Sequence, residues 1–573
     1  MNREAFPASF AQQRLWFLDQ FELGTAAYNL PRVFRISGPL NVDVLTRAFH
    51  AVVQRHASLR TVFDSVDGEA RQVVLSDLDV KVPIIDLTET PEEERESQAL
   101  RLASEEGKKP FDLHEGPLLR TLLVRLGPET WILVLVMHHI ITDGWSISCL
   151  FRDVTKCYAA FLENKDPELP ELPVEYTEYA QWQREYMSGE VLSQDVEHWK
   201  NTLAGAQTLL ELATDHPRPA IQTWHGATKG ISLDGATLAQ LKSMAQNEKS
   251  TLFMVSMAAF QALLWRYTHQ ESILIGTPVA GRNHVEVEDM VGLFVNTLVF
   301  RTDFTENLSF RDLLGRVRSF ALEAYMHQDV PFEKLVEVLV PQRSLDTPPL
   351  FQVMFTFQNI PKQVFEISGL SIKQMSFETG IAKFDLSVEV WEDSEFHCQF
   401  EYNTDLFEPS TIERMLGHFE KLIQAALENP DLPLAQLPIL SEQEREQVLV
   451  EWNNTSVSYP SNIPLHNFVE DQTERTPDSI ALIYETEQLT YSQLNARANQ
   501  LARRLRKLGV GPDVLVSVCA ERTVEMVVAL LGIIKAGGAY VPLDPEYPRE
   551  RLETMQQDAK SSILLTQQRL QNR

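Results

Sequence analysis

Four cysteines are few for a chain of 573 residues, and Cys149, Cys157, Cys398 and Cys519 have neither paired nor metal-ligand spacing. That excludes a disulfide framework and a thiolate metal site, and it fits a reducing compartment. No stretch reaches the roughly 18 uninterrupted apolar residues that a membrane span needs. Met1 to Pro7 contains no apolar signal core. A cytoplasmic protein with no membrane partner is expected. Basic residues are also short, 51 Lys and Arg against 80 Asp and Glu, for a net charge of −29. A nucleic-acid partner, which wants a basic face, is therefore not expected; such a charge favours solubility instead.

Apolar residues are plentiful, 44% of the chain, enough for large cores. Length alone suggests about three or four domains. Ser9 is placed to cap a short helix that follows it, and Val33–Ile36 reads as a strand. A helix is expected from Val42 to about Gln54. The runs Leu118–Val124 and Trp131–Val136 read as neighbouring strands joined at Gly127-Pro128. Strands and helices before residue 170 make one α/β lobe.

Pro167, Pro170 and Pro173 mark a break, and a helix begins near Tyr176. Residues 205–230 look like a loop; helices near 236–247 and 251–267 follow. Ile273–Gly276 is a strand that empties into the loop Thr277-Pro278-Val279-Ala280-Gly281-Arg282. Val291–Arg301 is a further strand candidate. Phe351–Phe357, Ser387–Trp391 and Cys398–Tyr402 add strands to a second α/β lobe. Pro430, Pro433 and Pro438 mark another linker. Beyond about 465, Leu494, Ala498, Leu501 and Leu505 share a helix face, and Val514–Cys519, a helix at 523–536 and Ala539–Leu543 alternate as a parallel α/β domain begins. The expected division is 1–175, 176–440, a linker over 441–464, and 465–573.

The most informative stretch is Met137-His138-His139-Ile140-Ile141-Thr142-Asp143-Gly144-Trp145-Ser146, at a strand-to-helix corner where reactive side chains are often displayed. Ile147, Leu150, Phe151, Val154, Tyr158 and Phe161 follow at helical spacing. Successive strand residues point to opposite faces, so His138 and His139 are not expected to serve one site or ligate one metal. One faces a cleft and the other the interior. A neutral imidazole near pH 7 suits acid–base work. Asp143, at the helix start, can cap backbone N–H groups or pair with a distant arginine. Gly144 allows close approach to the backbone. Two core histidines and a helix cap are the plainer reading of the same residues, and the pattern alone leaves both open.

The resemblance to a known family rests on ordered motifs: S-F-A-Q-Q-R-L-W-F-L, R-H-A-S-L-R-T-V-F, M-H-H-I-I-T-D-G-W-S, Y-T-E-Y-A-Q-W, V-G-L-F-V-N-T-L-V-F-R and H-Q-D-V-P-F-E. Together they make the first 440 or so residues resemble a condensation domain of a nonribosomal peptide synthetase. The last 110 or so resemble the opening of an adenylation domain, through L-T-Y-S-Q-L and I-I-K-A-G-G-A-Y-V-P-L-D. That family's later nucleotide-phosphate loop is not present, so this part is expected to be inactive.

The resemblance implies an α/β fold with two chloramphenicol-acetyltransferase-like lobes. They would form a V-shaped pseudodimer around a central tunnel, followed by a partial α/β adenylation subdomain. It implies amide-bond formation between a donor acyl or peptidyl thioester and the amine of an acceptor aminoacyl thioester. Both would ride on 4'-phosphopantetheine of peptidyl carrier proteins, with other synthetase subunits as partners and no cofactor or metal bound intrinsically. With no carrier domain ahead of Met1, the donor is expected from another subunit or as an acyl starter.

By the same resemblance, His138, His139, Asp143 and Gly144 would form the catalytic set. His139 is the family's catalytic histidine facing the tunnel, His138 an interior one. Asp143 is the structural aspartate with Arg282 as partner, and Gly144 is where a pantetheine arm or acceptor passes. Trp145 and Ser146 complete the corner, and no nucleophile-elbow pattern makes Ser146 a triad serine. Arg60 is either an ion-pair partner or a surface charge. Asn296 and Thr297 either touch the donor arm or satisfy a strand end. Trp391 and Lys383-Phe384-Asp385-Leu386 belong near the tunnel floor or a lobe-bridging element. Cys149 and Cys157 are packing residues.

Rival readings are an ester-forming acyltransferase of the same superfamily and a non-catalytic recruitment platform. The adenylation opening argues against the first and the intact motif against the second. The intact His138-His139 pair disfavours a heterocyclising relative, which carries aspartate at the first position. The order of domains disfavours an epimerising one.

Overall fold

The computed structural model describes residues 5–21, 24–340, 346–359, 364–367, 369–375 and 377–571. The chain forms two compact units, Met1–Leu449 and Val450–Arg573.

The first unit is built on two six-stranded sheets. At the centre of one, Asn29–Ser37 and Leu119–Gly127 flank Thr130–His138 in antiparallel register, Asn29 opposite His138. Ile132 to Met137 are buried on both sides, which is why that strand reads as a continuous apolar run and not an alternation. The helices Val42–Arg55 and Gly144–Leu162 contribute Phe49, Val52, Leu150 and Phe151 to the same core. The helix Phe10–Phe21 starts with a reciprocal cap: Ser9 Oγ accepts the Gln12 N–H at 3.2 Å, and Gln12 Oε1 accepts the Ser9 N–H at 3.0 Å.

The second sheet runs through Ser272–Val279, Val353–Gln358, Leu386–Glu392 and Phe396–Asn403, with Asn296–Asp303 at one edge and Gly226–Leu233 at the other. The helices Leu252–Thr268 and Pro409–Glu428 pack on it through Phe260, Leu263, Phe419 and Leu422. The expected 205–230 loop thus ends early, because Gly226 onward pairs with Asn403.

Two segments leave this second half and complete the first. Leu370–Gln374 adds antiparallel to Asn29–Ser37, Ile372 opposite Ile36; the sequence reading contains no strand there. Val287, Met290, Val291, Leu293 and Phe294 are buried in the first sheet's core. The expected strand over 291–301 therefore begins only at Asn296. Side chains satisfy the backbone of 291–294 in place of a ladder. Val291 N–H donates to His56 Nδ1 at 3.3 Å, and Ser58 Oγ donates to the Val291 carbonyl at 2.6 Å. Tyr176 OH donates to the Leu293 carbonyl at 2.6 Å.

The second unit holds a three-stranded parallel sheet with Leu515–Cys519 at its centre, between Ala539–Leu543 and Ile563–Thr566. Leu494, Ala498 and Leu505 are the buried face of the helix Tyr491–Lys507. Among the described residues no helix is long and apolar enough to cross a membrane, and no group of three or more His, Cys, Asp or Glu side chains could hold a metal ion.

Candidate functional site

The corner is made by a strand that stops. Thr130–His138 ends at His138, and His139–Ile141 form one tight 3-10 turn before the helix Gly144–Leu162. The two histidines do part company, but not by strand parity, since His139 is already outside the strand. His138 is buried, between the rings of Tyr28 (centroids 6.5 Å apart) and Phe111 (6.1 Å). Its Nδ1 accepts the Ile140 N–H at 3.2 Å, which leaves the proton of the neutral ring on Nε2.

His139 is half-buried and has the opposite tautomer. Its Nδ1 is 2.8 Å from the Thr142 carbonyl, which can only accept. Nδ1 therefore carries the proton, and Nε2 offers a lone pair. The backbone is pinned as well, His139 N–H donating to the Tyr28 carbonyl at 2.8 Å. Burial, and after it the charge of Lys383, pushes the His139 imidazole down to about 4. Burial likewise takes His138 down to about 3, with His139, Lys383 and Arg120 adding to it. Both rings are neutral at pH 7.

Asp143 is saturated with donors. As the helix cap, its Oδ1 accepts Ser146 N–H at 2.8 Å and Ser146 Oγ lies 2.7 Å away. Arg282 Nη2 lies 3.3 Å from the same oxygen, and Oδ2 accepts Phe294 N–H at 2.9 Å. Arg282 also donates to Ser146 Oγ at 2.8 Å and to the Val287 and Met290 carbonyls, and its guanidinium lies 4.0 Å from the centroid of the Phe294 ring. Ser146 closes the knot, accepting Gly292 N–H at 3.0 Å. Its single proton is shared between Asp143 Oδ1 and the Gly292 carbonyl, 2.8 Å away. A serine so enclosed has no freedom to act as a nucleophile. Trp145 lies at the surface of the knot and donates from Nε1 to the Glu288 carbonyl at 2.9 Å.

Gly144 is exposed, and a Cβ built on it would meet nothing within 4 Å. It borders a cavity of about 1130 Å³ whose walls come from both halves of the unit, including Arg32 of the first sheet and Ser148 of the motif helix on one side and Glu389 and Trp391 of the second sheet on the other. His139 itself is not among the lining residues.

Two residues expected in structural or tunnel roles hold backbone groups. Arg60 donates to the Val53, Gln54 and Leu75 carbonyls, so it caps the exposed C-terminal carbonyls of the Val42–Arg55 helix. Asn296 donates to the Gln328 and Val330 carbonyls at 2.8 and 2.7 Å and accepts Phe332 N–H at 3.1 Å. It anchors the H-Q-D-V-P-F-E turn, whose flanking helices are Phe310–Met326 and Phe332–Leu339. Cys149 and Cys157 are buried, their thiols pushed up to about 11 mainly by burial.

Sequence reasoning missed two supports and placed a third, Lys383, only near the tunnel floor or a lobe-bridging element. Gln12 Nε2 donates to the Ile140 carbonyl inside the corner, at 3.2 Å. His56 hydrogen-bonds Asp153 at 3.2 Å while holding Val291, and Lys383 brings its ammonium to Tyr28. A glutamine three residues after the Ser9 cap, and a histidine between Arg55 and Arg60 of one motif, were the available signals.

The family model described as Condensation domain matches residues 2–449, and that described as AMP-binding enzyme matches 469–573. One of the linear gramicidin synthase proteins of Brevibacillus parabrevis is 47% identical over 574 residues, covering 100% of this chain and 11% of the relative. Tyrocidine synthase 3 from the same organism is 40% identical over 570 residues, 99% of this chain and 9% of the relative. The chain thus spans 9 to 11% of the length of these curated relatives. In fold it resembles the crystal structure of a holo four-domain nonribosomal peptide synthetase bound to AMP and glycine. The TM-score is 0.86 over 99% of this chain and 44% of that one, at 24% identity. With the motif corner folded between two α/β sheets of chloramphenicol-acetyltransferase-like type, the chain belongs to the condensation-domain family of nonribosomal peptide synthetases, followed by the start of an AMP-binding domain.

Proposed function

We propose that residues 1–440, as an N-lobe over 1–175 and a C-lobe over 176–440, catalyse amide-bond formation between two carrier-bound thioesters. The acceptor's amine nitrogen attacks the donor's carbonyl carbon. His139 Nε2 takes the proton that the nitrogen sheds, the C–S bond breaks, and the leaving sulfur takes that proton back. The donor acyl group is then amide-linked to the acceptor, and the donor arm is left as a thiol. Phosphopantetheine arms of separate carrier proteins are the substrates' tethers, and the cavity beside Gly144 is where one arm would approach the corner. Asp143, Arg282 and Ser146 hold the corner and take no proton.

The observation that carries this reading is the His139 Nδ1 bond to the Thr142 carbonyl, because it leaves Nε2 unprotonated and available. The demand on that base is modest. A free α-amine has a pKa of about 7.7–8.0, so on the order of a tenth is already neutral at pH 7. General-base help is worth about 10²–10⁴-fold, and holding two tethered reactants together contributes at least as much.

The test uses intact-protein mass spectrometry of an acceptor carrier protein mixed with a loaded donor carrier and the chain. A mass gain equal to the donor acyl group is expected, slowed about 10²–10⁴-fold in His139→Ala without loss of the fold. Wild-type turnover in that variant would remove His139 from the chemistry. No transfer from any of several donors would point to a recruitment platform.

A further inference from the structure

Lys383 sits in the connection between Leu370–Gln374, which joins the first sheet, and Leu386–Glu392, which belongs to the second. Its neighbours are fixed. Phe384 stacks on Phe351 with centroids 5.4 Å apart, and Asp385 receives Arg218 Nη1 at 2.9 Å and also Nη2. The Lys383 carbonyl accepts Gln222 Nε2 at 2.9 Å. From this anchored backbone the side chain crosses to the other half of the unit, where Nζ lies 4.9 Å from the centroid of the Tyr28 ring. Tyr28 is the residue whose carbonyl takes the His139 N–H. No carboxylate among the described residues lies within 4.0 Å of Lys383 Nζ. A lysine anchored beside one sheet thus brings an ammonium, unpaired among the described residues, to the residue of the other that holds the His139 backbone.

We propose that Lys383 is a positioning residue of the condensation site, whose ammonium, held against the Tyr28 that carries the His139 backbone, adds to burial in disfavouring a proton on the reacting bases. Those bases are His139 and the acceptor's own amine. This rests on the general-base reading of His139 given above. The physical reason is that a fixed positive charge disfavours a second one nearby. An acceptor amine arrives largely as an ammonium at pH 7, and only the neutral form has the lone pair that attacks. A neighbouring cation is a known means of lowering an amine's proton affinity.

The surrounding charges agree in sign. Lys383 faces Arg14 and Arg32 as like charges and Glu401 as the opposing one. Burial brings its ammonium down to about 8, so it stays mostly charged at pH 7. Glu401 is pushed up to about 7 by burial, with Glu389 adding and Lys383 opposing, so it offsets only part of the positive charge. His139 faces Lys383 and, with the opposite effect, Asp143. His138 faces Lys383 and Arg120 as well as His139.

The experiment takes the full chain as wild type, Lys383→Met, Lys383→Gln, Lys383→Arg and His139→Ala, and checks each by thermal melting. Ring carbons of labelled histidine are followed by NMR against pH, with the His139 signal identified by its loss in His139→Ala. In parallel, single-turnover transfer between loaded carriers is measured against pH. In Lys383→Met and Lys383→Gln, the His139 titration and the acid limb of the rate should both move to higher pH, by on the order of one unit. Lys383→Arg should titrate as wild type. Unmoved titration and an unmoved acid limb in folded Lys383→Met and Lys383→Gln would overturn the proposal. If instead His139→Ala transfers at the wild-type rate, the general-base reading falls, and Lys383 is judged by the ring titration and by the acid limb that the acceptor amine then sets.

Discussion

Asp143 and Arg282 meet at 3.3 Å across 139 positions of sequence, both buried, one starting the helix after the motif and the other ending the loop after Ser272–Val279. The pair ties the two halves of the first unit together. A buried ion pair adds little net stability over an apolar pair, yet removing one partner strands the other charge. Asp143→Ala and Arg282→Met should each destabilise the first unit by roughly 3–5 kcal/mol. The double variant should recover part of the loss, because neither charge is then orphaned. Urea unfolding of the two singles and the double measures this. Additive losses would mean that the residues do not act as a pair.

Stability against pH has a definite sign. Burial holds His138 and His139 unprotonated, at about 3 and about 4, and lowers His56 in the same way. In the unfolded chain each takes a proton near the usual value of about 6.5. Below that pH the unfolded state binds more protons than the native one, so stability falls as pH falls. Each ring contributes a slope of at most about 1.4 kcal/mol per pH unit, from about 6.5 down to its native value. The urea midpoint should therefore drop from pH 6.5 towards 5. His138→Asn, whose amide oxygen can still accept Ile140 N–H, should flatten that drop by one group's share. An unchanged slope in His138→Asn would show that His138 binds its proton in the folded state too.

Gly144 separates passage from packing. A Cβ there meets open space, and the residue faces the cavity between the sheets. Gly144→Leu should change thermal stability little, because exposed substitutions away from special features stay within about ±0.5 kcal/mol. It should nevertheless slow transfer between carriers at least tenfold, by filling space that the substrates need. A variant as active as wild type would show that the substrates do not come past this position.

The Asn29–Ser37, Thr130–His138 and Leu386–Glu392 strands, the Gly144–Leu162 helix and the parallel start of the second unit were legible because each carries its own periodicity or apolar run. The motif corner was legible because its residue types are chemically distinctive. Two things were not. Leu370–Gln374 is short and half-polar, and its partner strand lies more than three hundred positions earlier, so no local signal announces the pairing. Residues 291–295 read like a strand by their apolar run, but their hydrogen bonds go to Ser58, His56, Ser146 and Tyr176, which only the fold brings near. Lys383 was placed by sequence near a bridging element, and its contact with Tyr28 could come only from the tertiary path.

That crossing segment makes the sharpest demand on a single residue. A Cβ on Gly292 would stand 2.1 Å from Tyr176 Cδ2 and 2.4 Å from Cε2, in a core where the ring has no room to retreat. The same tyrosine holds the Leu293 carbonyl, and Gly292 N–H and carbonyl both meet Ser146. Adding one methyl therefore pushes the segment off the motif helix at two contacts and off Tyr176 at a third. Gly292→Ala should cost about 1–3 kcal/mol by overpacking, whereas Gly144→Ala, facing open space, should be near neutral. It should also lower transfer activity, because Phe294 N–H is one of the donors that fix Asp143 beneath the corner. Urea midpoints and single-turnover transfer measured on the two variants side by side check both parts. Equal stability of Gly292→Ala and wild type would mean that the 291–294 segment is free to shift without disturbing the His139 corner.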